Sequence, residues 1–206
     1  MNRRKYLALS GTGITATLAG CLPDIETVEE LPRPVLGNED SSVVLRVFED
    51  LGCPACAQYS TTVQPSLVEE YVETGDIRYE FYDYVIPANP NLSRFLNNSA
   101  RAVQDRQGNQ AFWDFSKEIF ENQADAGLDL VKETAEQLGV ENPAEMANKA
   151  DGGVYDPVID SDIELGDNEY NVSATPTLVL NDQVLSSSTT SNFDALSNSI
   201  ETALDQ

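Results

Sequence analysis

The sequence predicts an α/β domain in which a helical block is inserted between two halves of a small sheet. A β-branched run, an amphipathic stretch and an alternating run follow one another, which is the pattern of a strand, a crossover helix and a parallel strand. A long helix-rich stretch comes next, and a hairpin pattern and an amphipathic helix close the chain. With 206 residues, the chain has the length of one domain with room for such an insertion.

The first strand-helix-strand unit is predicted to begin at Ser42–Phe48, whose β-branched residues favour a strand. Cys53–Glu73 follows as a helix, with Pro54 in its first turn, where a missing backbone N–H has no effect on the helix. Gly75 ends that helix, and the alternation of Ile77–Val85 predicts the second strand. A helical crossover of this length places the two strands parallel to each other.

The insertion is predicted to occupy about residues 88–170 and to be mostly helical. Its helical patterns are Leu92–Gln107, Gln110–Asn122, Leu128–Leu138, a helix beginning at Asn142–Pro143, and Val158–Tyr170. The aromatic residues of the second pattern have near-helical spacing, which predicts core packing and no cofactor.

The last elements are predicted to return to the sheet. Thr177–Leu180 forms the third strand, and a short strand after Asp182 makes a hairpin with it. Phe193–Leu204 is a closing amphipathic helix capped by Ser191 or Asn192.

The composition is strongly acidic, with 35 acidic and 12 basic residues, no histidine and a formal net charge of −23. Nucleic acids and anionic membrane surfaces repel such a protein, so neither is predicted as a partner. The charge does not indicate disorder, because 41% of the residues are hydrophobic and recur in periodic runs. We interpret the charge as adaptation to concentrated salt, where charges are screened over about 3 Å at 1 M, and predict a halophilic source.

Residues 1–20 are predicted to be an export signal. Arg3 and Arg4 precede a modestly apolar segment of about 15 residues, shorter than the roughly 20 residues that span a bilayer. The paired arginines resemble a twin-arginine signal, and Leu-Ala-Gly before Cys21 resembles a motif in which that cysteine is lipidated. Residues 21–41, rich in proline and acids, are then a flexible tether that holds residues 42–206 at the extracytoplasmic face of the membrane, where disulfides persist.

Two of the three cysteines, Cys53 and Cys56, lie together in the sequence FEDLGCPAC at the predicted helix start. A structural zinc site needs four ligands drawn mostly from cysteine and histidine, and the chain has no histidine. A disulfide that closes so short a loop removes little chain entropy, which disfavours a purely structural bond. Two thiolates alone can hold Cu(I), so a copper-delivering protein remains the alternative to a redox dithiol.

The position of the pair favours the redox dithiol. Cys53 would lie where the free N–H groups and the positive end of the helix dipole stabilise a thiolate and lower its pKa. Cys56 lies one turn later on the same face, is expected to be more buried, and can attack a mixed disulfide formed by Cys53. Pro54 fixes the turn without donating an N–H, while the charges of Glu49 and Asp50 are expected to raise the pKa of Cys53.

The sequences FEDLGCPAC and YNVSATPTLVLND, and the block from Ser99 to Gln123, resemble the DsbA-like branch of the thioredoxin fold. The resemblance runs from about Ser41 to the end of the chain. It implies a thioredoxin fold with a helical insertion between the second and third core strands. It also implies a redox-active Cys53–Cys56 disulfide, with Cys53 as attacking and Cys56 as resolving thiol. The supporting active-site residues that it implies are Pro54, Ala55, Asp50 and the cis-proline pair Thr175 and Pro176.

Two positions depart from this resemblance. Ala55 stands where the strongest oxidants of the branch have histidine between the cysteines, so it offers no cationic hydrogen bond to the thiolate. Val47 stands six residues before Cys53, where some relatives have a buried acid, and Glu49 or Asp50 would have to substitute for it. We therefore predict a couple that is less oxidising than those oxidants by some tens of millivolts.

The sequence thus predicts an exported thiol:disulfide oxidoreductase without a cofactor, which forms disulfides in exported client proteins. A membrane partner would reoxidise it, or would reduce it if the protein works as a reductase or isomerase with the same dithiol. A redox-inactive scaffold is disfavoured because both cysteines are present. Three Asn-x-Ser/Thr sequons, at Asn91, Asn97 and Asn171, are candidate glycan sites.

Overall fold

The computed structural model of the protein describes residues 26–86 and 88–206. The predicted export signal, residues 1–20, and the predicted lipidation site Cys21 lie outside the described residues. No helix in the described ranges combines the length and the hydrophobicity needed to cross a bilayer.

Within the described residues, a mixed sheet of five strands forms the centre of the fold. The strands are β1 Val35–Gly37, β2 Val44–Glu49, β3 Arg78–Asp83, β4 Thr177–Leu180 and β5 Gln183–Val184. Their order in space is β1-β3-β2-β4-β5. The pair β2 and β3 is parallel, and the other three pairs are antiparallel. The predicted parallel unit and the predicted closing hairpin are therefore confirmed.

The helices follow the predicted order. Those that join β2 to β3 are α1 Pro54–Thr62 and α2 Gln64–Leu67, followed by a π-helical turn at Val68–Val72. The insertion holds α3 Pro90–Gln107, α4 Asn109–Glu121, a 3₁₀ turn at Gln123–Asp125, α5 Leu128–Gln137, α6 Pro143–Asp151, α7 Asp156–Leu165 and a π-helical turn at Gly166–Tyr170. The chain closes with α8 Ser187–Thr190 and α9 Phe193–Leu204. Asn192 caps α9, because its side-chain oxygen accepts a hydrogen bond from the Ala195 N–H.

The crossover helix differs from its prediction. Cys53–Glu73 was expected to be one helix, but regular α-helix stops at Thr62 and resumes for a single turn. Pro65 explains the break, since it has no N–H to donate and its ring crowds the preceding turn.

The hydrophobic core lies between the sheet and the surrounding helices. Phe112 and Phe115 of α4 are fully buried, as the aromatic spacing predicts. The ring of Phe112 packs edge-on against Phe81 of β3, with centroids 4.9 Å apart, and against Trp113 at 5.6 Å. These rings join the insertion to the sheet.

The segment before residue 42 is not a free tether where the structure describes it. The Val28 N–H donates to the Val154 carbonyl at 2.8 Å, and β1 adds an edge strand to β3. The Arg33 guanidinium lies 3.7 Å from the centre of the Tyr82 ring and donates to Asp162 at 2.6 Å. Residues 28–41 therefore belong to the folded domain, because their few apolar and basic side chains find partners in the insertion and the sheet.

A buried ion network ties the insertion to the sheet. Arg101 of α3 is fully buried and donates from Nε to Asp83 at 2.7 Å and from Nη2 to Asp162 at 2.9 Å. Arg33 binds the second oxygen of Asp162, so that two guanidinium groups face two carboxylates. The network connects β3, α3, α7 and the N-terminal segment, and it holds the insertion in one orientation over the sheet.

Candidate active site

The helix that follows β2 places the two cysteines at its start. Cys53 is the N-cap residue, with φ −88° and ψ 121°, and Pro54 is the first helical residue. The Cys53 carbonyl accepts a hydrogen bond from the Ala57 N–H at 3.1 Å. Cys53 is 5% exposed and Cys56 is fully buried, and both are free thiols. The predicted position of Cys53 and the greater burial of Cys56 are confirmed.

The surroundings of Cys53 stabilise its thiolate. A hydrogen bond from the Cys56 thiol lowers the pKa of Cys53 most, and Thr175 and the N–H groups of Cys56 and Ala55 lower it further, against an opposing effect of burial. The resulting pKa is about 5. Thiolate then exceeds thiol about a hundredfold at pH 7. Ala55 lowers this pKa only through its backbone N–H, as expected for a residue whose side chain has no hydrogen-bond donor.

Cys56 has the opposite electrostatic environment. Burial raises its pKa well above that of a free thiol, and the neighbouring Cys53 and Glu49 raise it further. The Asp50 N–H donates to its sulfur at 3.5 Å. The pair therefore consists of one ionised thiolate near the surface and one protonated thiol in the interior, at adjacent turns of one helix.

The loop before β4 completes the surface around Cys53. The Thr175–Pro176 peptide bond is cis, as the resemblance implies. The Thr175 carbonyl lies 3.6 Å from the Cys53 sulfur. A groove of about 410 Å³ starts here and runs between α1 and α8. Its lining includes Ala55 and Tyr59 on α1, Pro176 on the loop and Ser187 on α8, and it carries no charged side chain.

Glu49 differs from its prediction. The charge of this residue was expected to raise the pKa of Cys53, but Glu49 is fully buried and both its carboxyl oxygens have no hydrogen-bond partner. Burial, with a smaller effect of Cys53, raises its pKa well above the usual value, which favours the protonated form of the carboxyl. Glu49 shares a strand face with Val47, two residues earlier, so a buried acid is present although Val47 is not acidic.

A cavity of about 510 Å³ connects Glu49 with the surface between α1 and α4. The indole N–H of Trp113 and the hydroxyl of Ser116 line the same cavity and also have no partner. Its outer lining includes the exposed side chains of Glu69 and Glu121. Buried polar groups without protein partners in a cavity of this size are typical of a hydrated site, which would let Glu49 exchange protons with solvent.

Asp50 supports the loop rather than the thiolate. Its carboxylate accepts hydrogen bonds from the N–H groups of Gly52 at 2.7 Å and Ile86 at 3.0 Å, and its carbonyl accepts from the Cys53 N–H at 2.9 Å. Burial raises the pKa of Asp50, and these hydrogen bonds oppose that effect. Asp50 therefore closes the turn that leads into Cys53.

The three sequons are placed differently. Asn97 is fully buried in α3, and its side-chain oxygen accepts from the Leu51 N–H at 3.0 Å. A glycan at Asn97 is incompatible with this structure, whereas Asn91 and Asn171 are exposed. Asn97 instead holds the loop at Leu51, a contact between distant residues that the sequon pattern does not reveal.

Residues 29–202 match the thioredoxin family. The chain belongs to this family. It is similar to disulfide bond formation protein D of Bacillus subtilis, with 25% identity over 177 residues that cover 84% of this chain and 77% of that protein. The probable disulfide bond formation protein D of Bacillus cereus is 32% identical over 117 residues, which cover 52% of each chain.

Solved structures support the same fold. The crystal structure of oxidised BdbD from Bacillus subtilis has a TM-score of 0.76 at 24% identity, covering 84% of this chain and 94% of that chain. Chlamydia trachomatis DsbA has a TM-score of 0.70 at 18% identity, covering 86% and 94%. The predicted thioredoxin fold with a helical insertion is confirmed, and so is the predicted enzyme class, a thiol:disulfide oxidoreductase.

The alternative function, binding of Cu(I), concerns the same dithiol. Across residues 26–86 and 88–206, no three or more cysteine, histidine or acidic side chains are grouped as metal ligands. A Cu(I) ion at this site would therefore be held by Cys53 and Cys56 alone.

Proposed function

We propose that the protein forms disulfides in exported client proteins through the Cys53–Cys56 pair. The observation that carries the proposal is the thiolate of Cys53, with a pKa of about 5, next to the cis-proline loop. A thiolate that the folded protein stabilises is a good leaving group, and it makes the reduced protein more stable relative to the oxidised one. Both effects favour transfer of a disulfide from the protein to its client.

The first step forms a mixed disulfide. A client thiolate attacks the Cys53 sulfur of the oxidised pair, the bond between Cys53 and Cys56 breaks, and its electron pair remains on the Cys56 sulfur. Cys56 then takes up a proton, because burial disfavours its charged form.

The second step releases the product. A second client thiolate attacks the client sulfur of the mixed disulfide, and Cys53 leaves as the thiolate that its environment stabilises. The client loses two electrons and gains a disulfide, and the protein holds them as a dithiol until an external oxidant accepts them.

The groove beside Pro176 is the surface on which the client would lie during these steps. An extended segment next to the client cysteine can pair with the backbone at Thr175, whose carbonyl faces Cys53. The uncharged lining of the groove would accept such a segment despite the acidic surface elsewhere.

The direction of electron flow is tested with the oxidised full chain and a reduced client protein. We expect oxidative refolding of the client at a rate well above buffer alone, and slow reduction of insulin by the reduced protein. We also expect the reduced protein to resist denaturant better than the oxidised protein. Fast insulin reduction without client oxidation would instead identify a reductase, and stoichiometric Cu(I) uptake without disulfide exchange would identify a copper-binding protein.

The stability difference between the two redox forms has a defined pH dependence. Because folding lowers the pKa of Cys53 from 9.0 to about 5, the thiolate stabilises the reduced form fully above pH 9. This contribution is lost as the pH falls through 5, and the oxidised form has no such group. The advantage of the reduced form should therefore shrink between pH 9 and pH 5.

Replacing Glu49 by glutamine should slow the first step about a hundredfold, the lower end of typical general-acid effects. Burial raises the pKa of the Glu49 carboxyl, and its charge raises the pKa of Cys56. We therefore expect Glu49 to pass a proton to the departing sulfur through the hydrated cavity, whereas the amide of Glu49→Gln cannot. The measurement is the single-turnover rate of the oxidised protein with a small thiol. Glu69→Gln, at the exposed outer end of the cavity, is the control and should react at the wild-type rate. Equal rates for Glu49→Gln and wild type would show that solvent alone protonates Cys56.

The location proposed for the protein rests on its sequence. Twin-arginine export, a lipid anchor at Cys21 and a membrane partner that reoxidises the dithiol fit a protein that acts on exported clients. Mass spectrometry of the membrane fraction tests the anchor, and an unmodified peptide that retains Met1 would contradict it. The net charge of −23 supports the proposed halophilic source, for which unfolding of the purified protein on removal of salt is the test.

A further inference from the structure

The loop that leads into Cys53 is held from outside by the helical insertion. The side-chain amide nitrogen of Gln123 donates to the Leu51 carbonyl at 2.9 Å and to the Cys53 carbonyl at 3.0 Å. On the other side of Leu51, the Leu51 N–H donates to the side-chain oxygen of Asn97 at 3.0 Å. The contacts therefore fix the peptide groups on both sides of Leu51 and the carbonyl of the attacking cysteine.

The orientation of the Gln123 amide follows from its partners. Both groups that face it are carbonyl oxygens, which only accept hydrogen bonds, so the amide nitrogen and not the amide oxygen must point toward them. Gln123 is half-buried at the start of the 3₁₀ turn that follows α4, at a sequence distance of 70 residues from Cys53. The contact therefore depends on the packing of the insertion against the loop and cannot form within the local segment.

We propose that Gln123 is a positioning residue of the redox centre, which holds the Cys53 sulfur at the start of α1 by donating to the carbonyls of Leu51 and Cys53. This inference rests on the proposed function in one respect, that Cys53 is the attacking thiol. The groups that stabilise the Cys53 thiolate, the N–H groups of Ala55 and Cys56 among them, are directional, so they act only while Cys53 keeps its extended N-cap conformation. Without Gln123, the Cys53 carbonyl keeps only its bond from the Ala57 N–H, and the Leu51 carbonyl loses a donor.

The titratable groups near Cys53 do not take part in the contact between Gln123 and the loop. The titratable groups that face Cys53 are Cys56, Glu49 and Asp50. Gln123 makes no hydrogen bond to any of them and carries no charge. A change in thiolate reactivity on replacing Gln123 would therefore report the geometry of the loop and not a change in local charge.

The test compares the pH profile of iodoacetamide alkylation in the reduced full chain for wild type and Gln123→Met, which keeps the side-chain length and removes the donor. We expect Gln123→Met to react about threefold more slowly than wild type at pH 5, where the rate follows the thiolate fraction, and at the same rate at pH 9. Gln107→Met is the matched control, because Gln107 donates to the Gly139 carbonyl in the same insertion, away from the cysteines. Its profile should match wild type.

The outcomes separate this inference from the proposed function. If wild-type Cys53 reacts no faster than free cysteine at pH 5, the proposed function fails before Gln123 is considered. If wild-type Cys53 is reactive and Gln123→Met follows the same profile at every pH, only the positioning role is overturned.

Should Gln123→Met fail to fold, the smaller variant Gln123→Ala is measured in its place, with the amide hydrogen exchange of residues 51–53 as second readout. Faster exchange confined to these residues supports the inference, and unchanged exchange with an unchanged profile overturns it.

Discussion

Replacing Cys53 by serine is expected to reduce client oxidation to the rate of buffer alone. Cys56→Ser, first joined at Cys53 to glutathione by a disulfide, should exchange glutathione for a client that has a single cysteine, and this mixed disulfide should persist because neither Cys56 nor a second client thiol is present to resolve it. The difference follows from the positions of the two sulfurs. Cys53 is the slightly exposed one, at 5%, and its thiolate faces the cis-proline loop, so the client bond forms there. Cys56 is fully buried, so it cannot reach a client directly but can resolve the bond that Cys53 has made.

The measurements are oxidative refolding of a reduced client and, for glutathionylated Cys56→Ser, non-reducing electrophoresis of its reaction with the single-cysteine client. Cys21→Ser is the matched control, since it removes the remaining cysteine of the chain without changing the pair. It should refold the client at the wild-type rate. Activity that survives in Cys53→Ser, or a mixed disulfide that forms on Cys56 instead, would contradict the assignment of Cys53 as attacking thiol.

The dithiol could be predicted from sequence because its determinants are local. A cysteine followed by proline at the start of an amphipathic run specifies a helix N-terminus, and the second cysteine one turn later shares its face. The cis bond at Thr175–Pro176 was predicted from resemblance, and the structure confirms it. The parallel pair and the closing hairpin of the sheet were also predicted from local patterns.

The remaining features depend on contacts between distant residues. The edge strand Val35–Gly37 has three residues and no alternation of its own, so its pairing with β3 cannot be predicted from the segment alone. In the sequence, Glu49 is one of many acidic residues, and only the packed fold shows that its carboxyl is buried, which raises its pKa. Gln123 reads as a helix-end glutamine, and its two acceptors lie about 70 residues earlier in the chain.

Replacing Arg101 by methionine is expected to destabilise the folded protein by about 3–5 kcal/mol, the usual effect of removing one partner from a buried ion pair. Methionine fills a similar length of space but leaves Asp83 without the donor to its Oδ2 atom, and its Oδ1 atom already has no partner. Asp162 would keep its bonds from Arg33 and from the Asp83 N–H. The uncompensated group is therefore the buried carboxylate of Asp83, whose pKa burial already raises.

Denaturant unfolding at a salt concentration that keeps wild type fully folded measures this effect. Lys149→Met is the control in the same insertion, because its partner Glu145, at 3.0 Å, lies on the exposed surface. Its unfolding midpoint should not change measurably. Adding Asp83→Asn to Arg101→Met should restore part of the lost stability, since it removes the uncompensated charge, whereas Asp83→Asn alone should destabilise.

This double variant separates the effect of charge from the effect of packing. If Arg101 acted only by filling space, Asp83→Asn would add its own destabilisation to that of Arg101→Met, and the two effects would sum. If the ion pair carries the effect, the double variant should be more stable than that sum by more than about 1 kcal/mol, within the range measured for residues in contact. Additive behaviour would show that the orientation of the insertion over the sheet, and with it the contact of Gln123 to the active-site loop, is maintained by the apolar core alone.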